Sequence, residues 1–339
     1  MPACRCALLA AVLAVSFAPA AAYPWGATGH RLVTTVAIEN LPPDLPAFLK
    51  APGTLASLGE LAREPDRSKG AGTSHDHDLD PGHYLDLGDS GLIGDGLPLD
   101  PLPPDREAYD SALRRLGLTE YRAGYLPYSI IDGWQQVRKD FAYWRATVAA
   151  ARGADTAEAR RWFDEDRRLR EMILLRDIGY WSHFVADGSQ PMHVSVHYNG
   201  WMDYPNPDGY TQARGIHARF EGRYVAEHVD HETLVASLQP PQDLGCGIEA
   251  WTAGYLRETN REIVPLYRLE KSGAFDDAGT AGGTGFAAAR LAAGAAAIRD
   301  LVAAAWRCSA DDKVGYPPVD VKEIDAGRVV PLEALRGRD

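Results

Sequence analysis

The chain has 339 residues, with 47 acidic against 35 basic side chains and a formal net charge of -12. An acidic balance with no Lys/Arg cluster argues against tight, sequence-specific binding of duplex DNA, although metal ions can supply positive charge locally in a nuclease. Of the 4 cysteines, Cys4 and Cys6 lie in the leader, so Cys246 and Cys308 remain to form one disulfide in an oxidising compartment. Any metal site must then be built from histidine and carboxylate.

Arg5, the apolar run 7–17 and Ala20-Ala21-Ala22 read as a secretory signal peptide over residues 1–22, cleaved before Tyr23. The run is too short to anchor in a bilayer, so a secreted or periplasmic protein without a transmembrane segment is expected. Residues 23–312 are expected to form one domain, and 313–339 a C-terminal tail mixing Pro, Gly and charge. Helical spacing of Leu32, Val33, Val36, Ala37 and Ile38 predicts a helix over 26–40, stopped by Leu41-Pro42-Pro43. A short helix is expected over 53–61. Residues 64–104, rich in Asp, Gly and Pro, read as a long functional loop.

Further helices are expected over 107–117, 128–151, 157–185, 216–228, 248–266 and 286–306. The last is Ala-rich, but Arg290, Arg299 and Asp300 mark it as soluble. Neither a strand pattern nor a repeat is present. The fold class is therefore mainly α, a single compact helical domain with long functional loops around a metal cleft.

Two segments carry the chemistry, SHFVADGSQPMHV over 182–194 and GIHARFEGRYV over 215–225. His183 and Asp187 are four residues apart, as are His217 and Glu221, so on a helix each pair projects from one face. A surface contact is the simplest reading of either pair alone. Two pairs plus His193 point elsewhere. Ile178, Tyr180, Trp181, Phe184 and Val185 surround the first pair, and an Asp buried there is costly unless a cation compensates it. Imidazole nitrogen with carboxylate oxygen suits zinc.

The other candidate ligands are Trp25 and His30 in WGATGH, Asp66 in EPDRSK and His83 in GHYLD. Their order, followed by H-x-x-x-D, Q-P-M-H and H-x-x-x-E, resembles the superfamily of zinc-dependent phospholipases C and the single-strand-specific zinc nucleases of fungi and plants. The likeness spans roughly residues 25–225. It implies three zinc ions. His83, His183 and Asp187 would hold the first, with Asp66 beside it as ligand or general base; His193, His217 and Glu221 the second; Trp25, His30 and a bridging Asp187 the third. Zinc ions sharing a carboxylate lower the pKa of a shared water for in-line attack on phosphorus, and a further ion stabilises the leaving oxygen. Asp66 and Asp187 are thus the candidate catalytic residues. In the family the Trp is the mature N-terminus and ligates through its free amine, whereas cleavage before Tyr23 leaves Tyr23-Pro24 in front of Trp25. The remaining histidines read as solvated or as surface groups (His75, His77, His228, His231), or as near the cleft (His197).

The substrate is a phosphodiester, a phospholipid headgroup or single-stranded nucleic acid, and no stable protein partner is implied. Ser189 before Q-P-M-H, Tyr198-Asn199-Gly200 after it, and Glu221 rather than Asp lean toward phospholipase C; the opening WGATGHRLV leans toward the nucleases. Tyr84 and Asp86 suit either, stacking on and hydrogen-bonding a base, or holding a choline headgroup by cation–π contact. The reading is a trinuclear-zinc phosphodiesterase, phospholipase C-like, with a single-strand nuclease and 3'-nucleotidase as the alternative. A non-catalytic zinc-binding protein is the alternative of another class.

Overall fold

A computed structural model of the protein describes residues 25–69 and 71–337. The signal peptide read at residues 1–22 and the Tyr23-Pro24 step lie outside the described residues. The fold is mainly α, with 64% of the protein helical. No helix among the described residues is long and apolar enough to cross a membrane.

Helix α1 (Gly26–Glu39) buries His30, Val33, Val36 and Ala37 on one side, the face its spacing predicts. Helix α2 (Pro52–Leu61) starts on a proline, whose fixed φ and missing N–H suit a first turn. The stretch read as a loop over 64–104 is largely ordered. It holds α3 (Glu64–Arg67), α4 (Thr73–Leu79), a 3-10 turn Asp80–His83, and the antiparallel pair β1 (Leu92–Ile93) and β2 (Leu97–Pro98). These elements are too short to show a period, so composition alone suggested a loop. The short helices α5 (Arg106–Arg115), capped by Asp105, and α6 (Glu120–Ala123) follow.

Helices α7 (Leu126–Gly153) and α8 (Ala157–Asp187) form a long antiparallel hairpin. The Thr156 hydroxyl starts α8 by accepting from the Ala159 amide at 3.1 Å. A Cβ on Gly133 would lie 2.0 Å from the Trp181 ring, so glycine is what lets the two helices close. The Trp181 indole uses that closeness to donate to the Ile130 carbonyl at 2.9 Å.

The expected helix over 216–228 is not regular. It runs as α9 (Ile216–Ala218), a π segment Arg219–Tyr224, and α10 (Val225–His228). Next come α11 (His231–Ala236), α12 (Glu249–Arg261) and α13 (Ile263–Lys271). The single helix expected over 248–266 is broken because Pro265 lacks an N–H and its ring opposes the carbonyl of Arg261. Helix α14 (Ala281–Cys308) packs its small side chains against α1, α7 and α8 and completes the core. The Trp134 indole donates to its Leu301 carbonyl at 3.0 Å.

Cys246 and Cys308 form the disulfide, tying the loop before α12 to the end of α14. The C-terminal segment folds into a hairpin, β3 (Lys313–Val314) with β4 (Val319–Asp320), then α15 (Val321–Asp325) and α16 (Leu332–Arg336). Val314, Val321 and Ile324 from this segment meet Ala142, Ala146 and Phe163 of the α7–α8 hairpin in a second apolar cluster.

Candidate metal centre

The C-terminal turn of α8 carries His183 and Asp187 into the interior, where both are fully buried. Four other elements converge on it. The first turns of α1 bring Trp25 and His30, α3 brings Asp66, the 3-10 turn ends on His83, and Gln190-Pro191-Met192-His193 folds back as a further 3-10 turn. From the other side α9 and the π segment present His217 and Glu221. All the histidines and carboxylates that the sequence proposed as ligands are buried there together.

Their donor atoms fall into three groups, each within 4.8 Å: His30, Asp66 and His183; His83, His183 and Asp187; His193, His217 and Glu221. In the middle group His83 Nδ1 lies 2.9 Å from His183 Nε2 and 3.1 Å from Asp187 Oδ2. His183 Nε2 is 3.3 Å from the same oxygen and 3.7 Å from Asp66 Oδ1. His30 joins through its Nε2, 3.5 Å from Asp187 Oδ1, and stacks on His183 at 3.8 Å. In the last group Glu221 Oε2 lies 2.6 Å from His217 Nε2 and 3.6 Å from His193 Nε2.

Hydrogen bonds behind the site fix the rings. His183 Nδ1 donates to the Ala62 carbonyl at 2.7 Å, and His193 Nδ1 to the His83 carbonyl at 2.7 Å. Each bond leaves the Nε2 lone pair aimed inward, the arrangement metal-bound imidazoles use. Ten buried side-chain polar atoms among the described residues make no hydrogen bond, and seven belong to this centre: both ring nitrogens of His30, Asp66 Oδ1, Asp187 Oδ1, His193 Nε2, His217 Nε2 and Glu221 Oε1. The ion-pair approaches to Asp66 Oδ1 and His217 Nε2 are not aligned as hydrogen bonds. Such orphan atoms are expensive in a folded interior, and their convergence fits cations held between them.

Protonation follows the burial. His30, His83, His183 and His193 are lowered from the usual imidazole value, burial first, which keeps their lone pairs free. Burial raises Asp187 well above the usual carboxylate range, and the nearby Asp66 adds to it. Burial also pushes Glu221 up, but its close approach to His217 and His193 outweighs that and holds the carboxyl at about 2.

Trp25 serves two ends. Its ring is buried and donates to the Ala186 carbonyl at 2.8 Å and Ser189 Oγ at 3.1 Å, anchoring the start of α1. Its main-chain nitrogen points into the centre, 3.2 Å from Glu221 Oε2.

The centre opens on a cleft of about 920 Å³ lined by His83, His193 and His217 together with Tyr84, Asp86, Tyr121, Tyr198 and Tyr204. Tyr84 and Asp86, proposed from the sequence as substrate contacts, are both on this wall. Burial raises Asp86 to about 8, and the Tyr84 hydroxyl donates to the Tyr121 carbonyl. Gly124 turns the chain beside Tyr84 at φ +76°, where a Cβ would lie 1.9 Å from the Tyr84 carbonyl oxygen.

Sequence reasoning missed Lys69, whose Nζ stands 2.9 Å from Asp66 Oδ1 and lines the cleft. Its spacing, one helical turn after Asp66 in EPDRSK, was the available signal. Gln190 was missed as well; its amide donates to Glu221 Oε2 at 3.0 Å. His197, read as near the cleft, is buried behind the wall against Trp201. His77 and His231 are exposed, as expected, and His77 stacks on Tyr121 at 5.0 Å.

No protein-family model matches the chain, and no curated protein does. Among solved structures, the protein is similar to the alpha toxin from Clostridium absonum, at 15% identity over 85% of this chain and 67% of that one, with a TM-score of 0.39. It is also similar to the Clostridium perfringens alpha-toxin isolated from avian strain SWCP, at 14% identity over 87% and 68% of the two chains, with a TM-score of 0.40. At such identities function has to be argued from the centre itself.

Proposed function

We propose that the protein is an exported zinc-dependent phosphodiesterase of the zinc phospholipase C and single-strand nuclease superfamily, acting on phospholipid. The observation that carries this reading is the gathering of seven buried polar atoms that make no hydrogen bond, around a centre whose His83, His193 and His217 line the cleft. His83, His183 and Asp187, with Asp66 and His30 alongside, and His193, His217 and Glu221 would hold the zinc ions. Bound there, zinc neutralises phosphate charge and lowers the pKa of water toward neutrality.

The chain's own residues do the rest. His183 and His193 are locked in the ligating tautomer by Ala62 and His83. Asp66, 2.9 Å from the cleft-lining Lys69, is suited to accept a proton from an attacking water, and Lys69 offers a cation to a phosphate oxygen. Tyr121, Tyr198 and Tyr204 expose about two fifths of their surface or more and line the cleft with Leu118, Met192, Val196 and Met202. An apolar and aromatic rim of this kind suits a lipid surface. Asp80 and Asp203 on the same walls favour a cationic headgroup over further phosphates.

One observation favours the nuclease alternative. Asp86, raised to about 8, remains a hydrogen-bond donor near neutral pH beside the Tyr84 ring, a combination that can read a base edge. Export is supported by the disulfide and by the leader read in the sequence.

The deciding experiment is parallel hydrolysis of phosphatidylcholine and of single-stranded DNA and RNA by the zinc-loaded protein, each with a chelator control. Chelator-sensitive release of diacylglycerol is expected. Cleavage of nucleic acid alone would replace the lipid reading with the nuclease, and a fully loaded protein inactive on all of them would leave only metal binding.

A further inference from the structure

Behind the cleft wall lies a second histidine–carboxylate pair that the metal centre does not use. His197 is fully buried, and its Nε2 lies 2.8 Å from Oδ1 of the largely exposed Asp89. The ring stacks on Trp201 at 3.6 Å, and Tyr204 meets it edge-on at 4.9 Å. Its Nδ1 is buried and has no partner. With Nε2 committed to Asp89 and Nδ1 enclosed, the imidazole has no free nitrogen for proton transfer with a cleft substrate.

Its position in the chain gives it another use. Val196 and Tyr198, on either side of it, line the cleft, as do Met202 and Tyr204 of the same loop. Asp89 belongs to the facing segment. The two segments are stitched together by Leu85 N–H to the His193 carbonyl at 2.8 Å and Val196 N–H to the Leu87 carbonyl at 3.0 Å. Past Val196 the loop is held from behind by Tyr267, whose hydroxyl donates to the His197 carbonyl at 2.7 Å and accepts from Gly200 N–H at 2.8 Å. The Asp89–His197 bond extends the stitching across the two segments, and through the ring stack it reaches Tyr204.

We infer that Asp89 and His197 form a clasp that fixes the aromatic wall of the cleft, and so sets affinity for the part of a substrate extending beyond its phosphate. His197 is a positioning residue acting through Tyr198 and Tyr204. The inference deepens the phosphodiesterase reading and rests on it for its kinetic part only.

Asp89→Ala and Asp89→Asn in the zinc-loaded full chain test it, since Asp89 is exposed and the asparagine oxygen can accept the same N–H. Two probes are compared: methyl p-nitrophenyl phosphate, which reaches little beyond the phosphate, and p-nitrophenylphosphorylcholine. Asp89→Ala should raise KM for the choline ester five- to tenfold with kcat within twofold, and change neither parameter for the methyl ester by more than twofold. Asp89→Asn should stay within twofold of wild type throughout. Equal losses on both probes, or no change on either, overturn the clasp. Should the wild-type protein hydrolyse neither probe, the phosphodiesterase reading fails by itself and amide exchange decides the clasp. Residues 196–211 should then exchange at least tenfold faster in Asp89→Ala than in wild type or Asp89→Asn, and unchanged exchange overturns it.

Discussion

Stripping zinc from the protein should lower its melting temperature in steps that report the sites separately. A ligand that binds only the folded state at a thousandfold excess over its Kd stabilises by about 4 kcal/mol. With an unfolding entropy of about 2.1 cal/mol/K per residue over roughly 310 residues, 4 kcal/mol corresponds to about 6 °C for each site filled. The empty centre has its own cost, because buried polar groups without a hydrogen bond cost about 1–3 kcal/mol each, and several such atoms meet here. Their sum is on the order of the whole net stability of a domain. His30→Leu separates the two effects. It removes two orphan nitrogens of similar bulk, so the chelated variant should melt at or above the chelated wild type. With zinc restored it should fall short of the loaded wild type by about 6 °C, one site's increment. Differential scanning calorimetry with EDTA and with buffered zinc gives all four values. A melting temperature indifferent to zinc, or an equal loss from His30→Leu in both states, would refute the assignment of these atoms to cations.

Three further outcomes concern other groups. Burial, reinforced by a hydrogen bond to Asp177 and only partly offset by Gln136, raises Asp140 to about 7. Its folded value lies above the unfolded one of about 4, so its contribution is present at low pH and is lost as pH rises from about 4 through 7. Asp140→Asn should therefore flatten the melting profile between pH 4 and 8 and stabilise the protein at pH 8; a steeper profile would contradict it. Removing the disulfide with Cys246→Ser and Cys308→Ser frees a loop of 62 residues and should cost about 4 kcal/mol by loop-closure entropy, read from urea midpoints. Replacing Lys69 with Met should lower kcat roughly a hundredfold without changing zinc content, as expected for a cation facing developing phosphate charge; a parallel loss of zinc would instead make Lys69 a structural partner of Asp66.

What could be read from the sequence divides along physical lines. The helices α1, α7, α8 and α14 were legible because each is long enough for an apolar face to recur, and the core they form is continuous. Asp187 was legible as a buried group because Ile178, Trp181 and Val185 of its own helix leave it no route to water. The one-turn helices between residues 64 and 83 were not, since an element of four residues has no period to detect. The break before α13 was written in Pro265 and passed over. Lys69 and Gln190 were hidden for another reason. Their partners, Asp66 and Glu221, could be proposed from spacing, but which neighbours face them is settled only when α3 and the Gln190 turn are folded against α8.

The π segment explains why the two i,i+4 pairs, identical in spacing, behave differently. On regular α8, Asp187 is enclosed among imidazoles with Asp66 nearby, and burial drives it toward its protonated form. On the widened turn Arg219–Tyr224, Glu221 lies 2.6 Å from His217 Nε2 and also receives the Trp25 amide at 3.2 Å and the Gln190 amide at 3.0 Å, and it stays ionised down to about pH 2. The two halves of the centre are thus primed differently before any metal arrives. His193, His217 and Glu221 already present a charged carboxylate and should take up the first zinc with little proton release. The Asp187 groups must expel a proton, because only the carboxylate ligates, so their loading should release about one proton and weaken first as pH falls. Calorimetric titration of zinc in buffers of different ionisation enthalpy separates the phases. Proton release confined to the first phase would show that the carboxylates had been assigned the wrong way round.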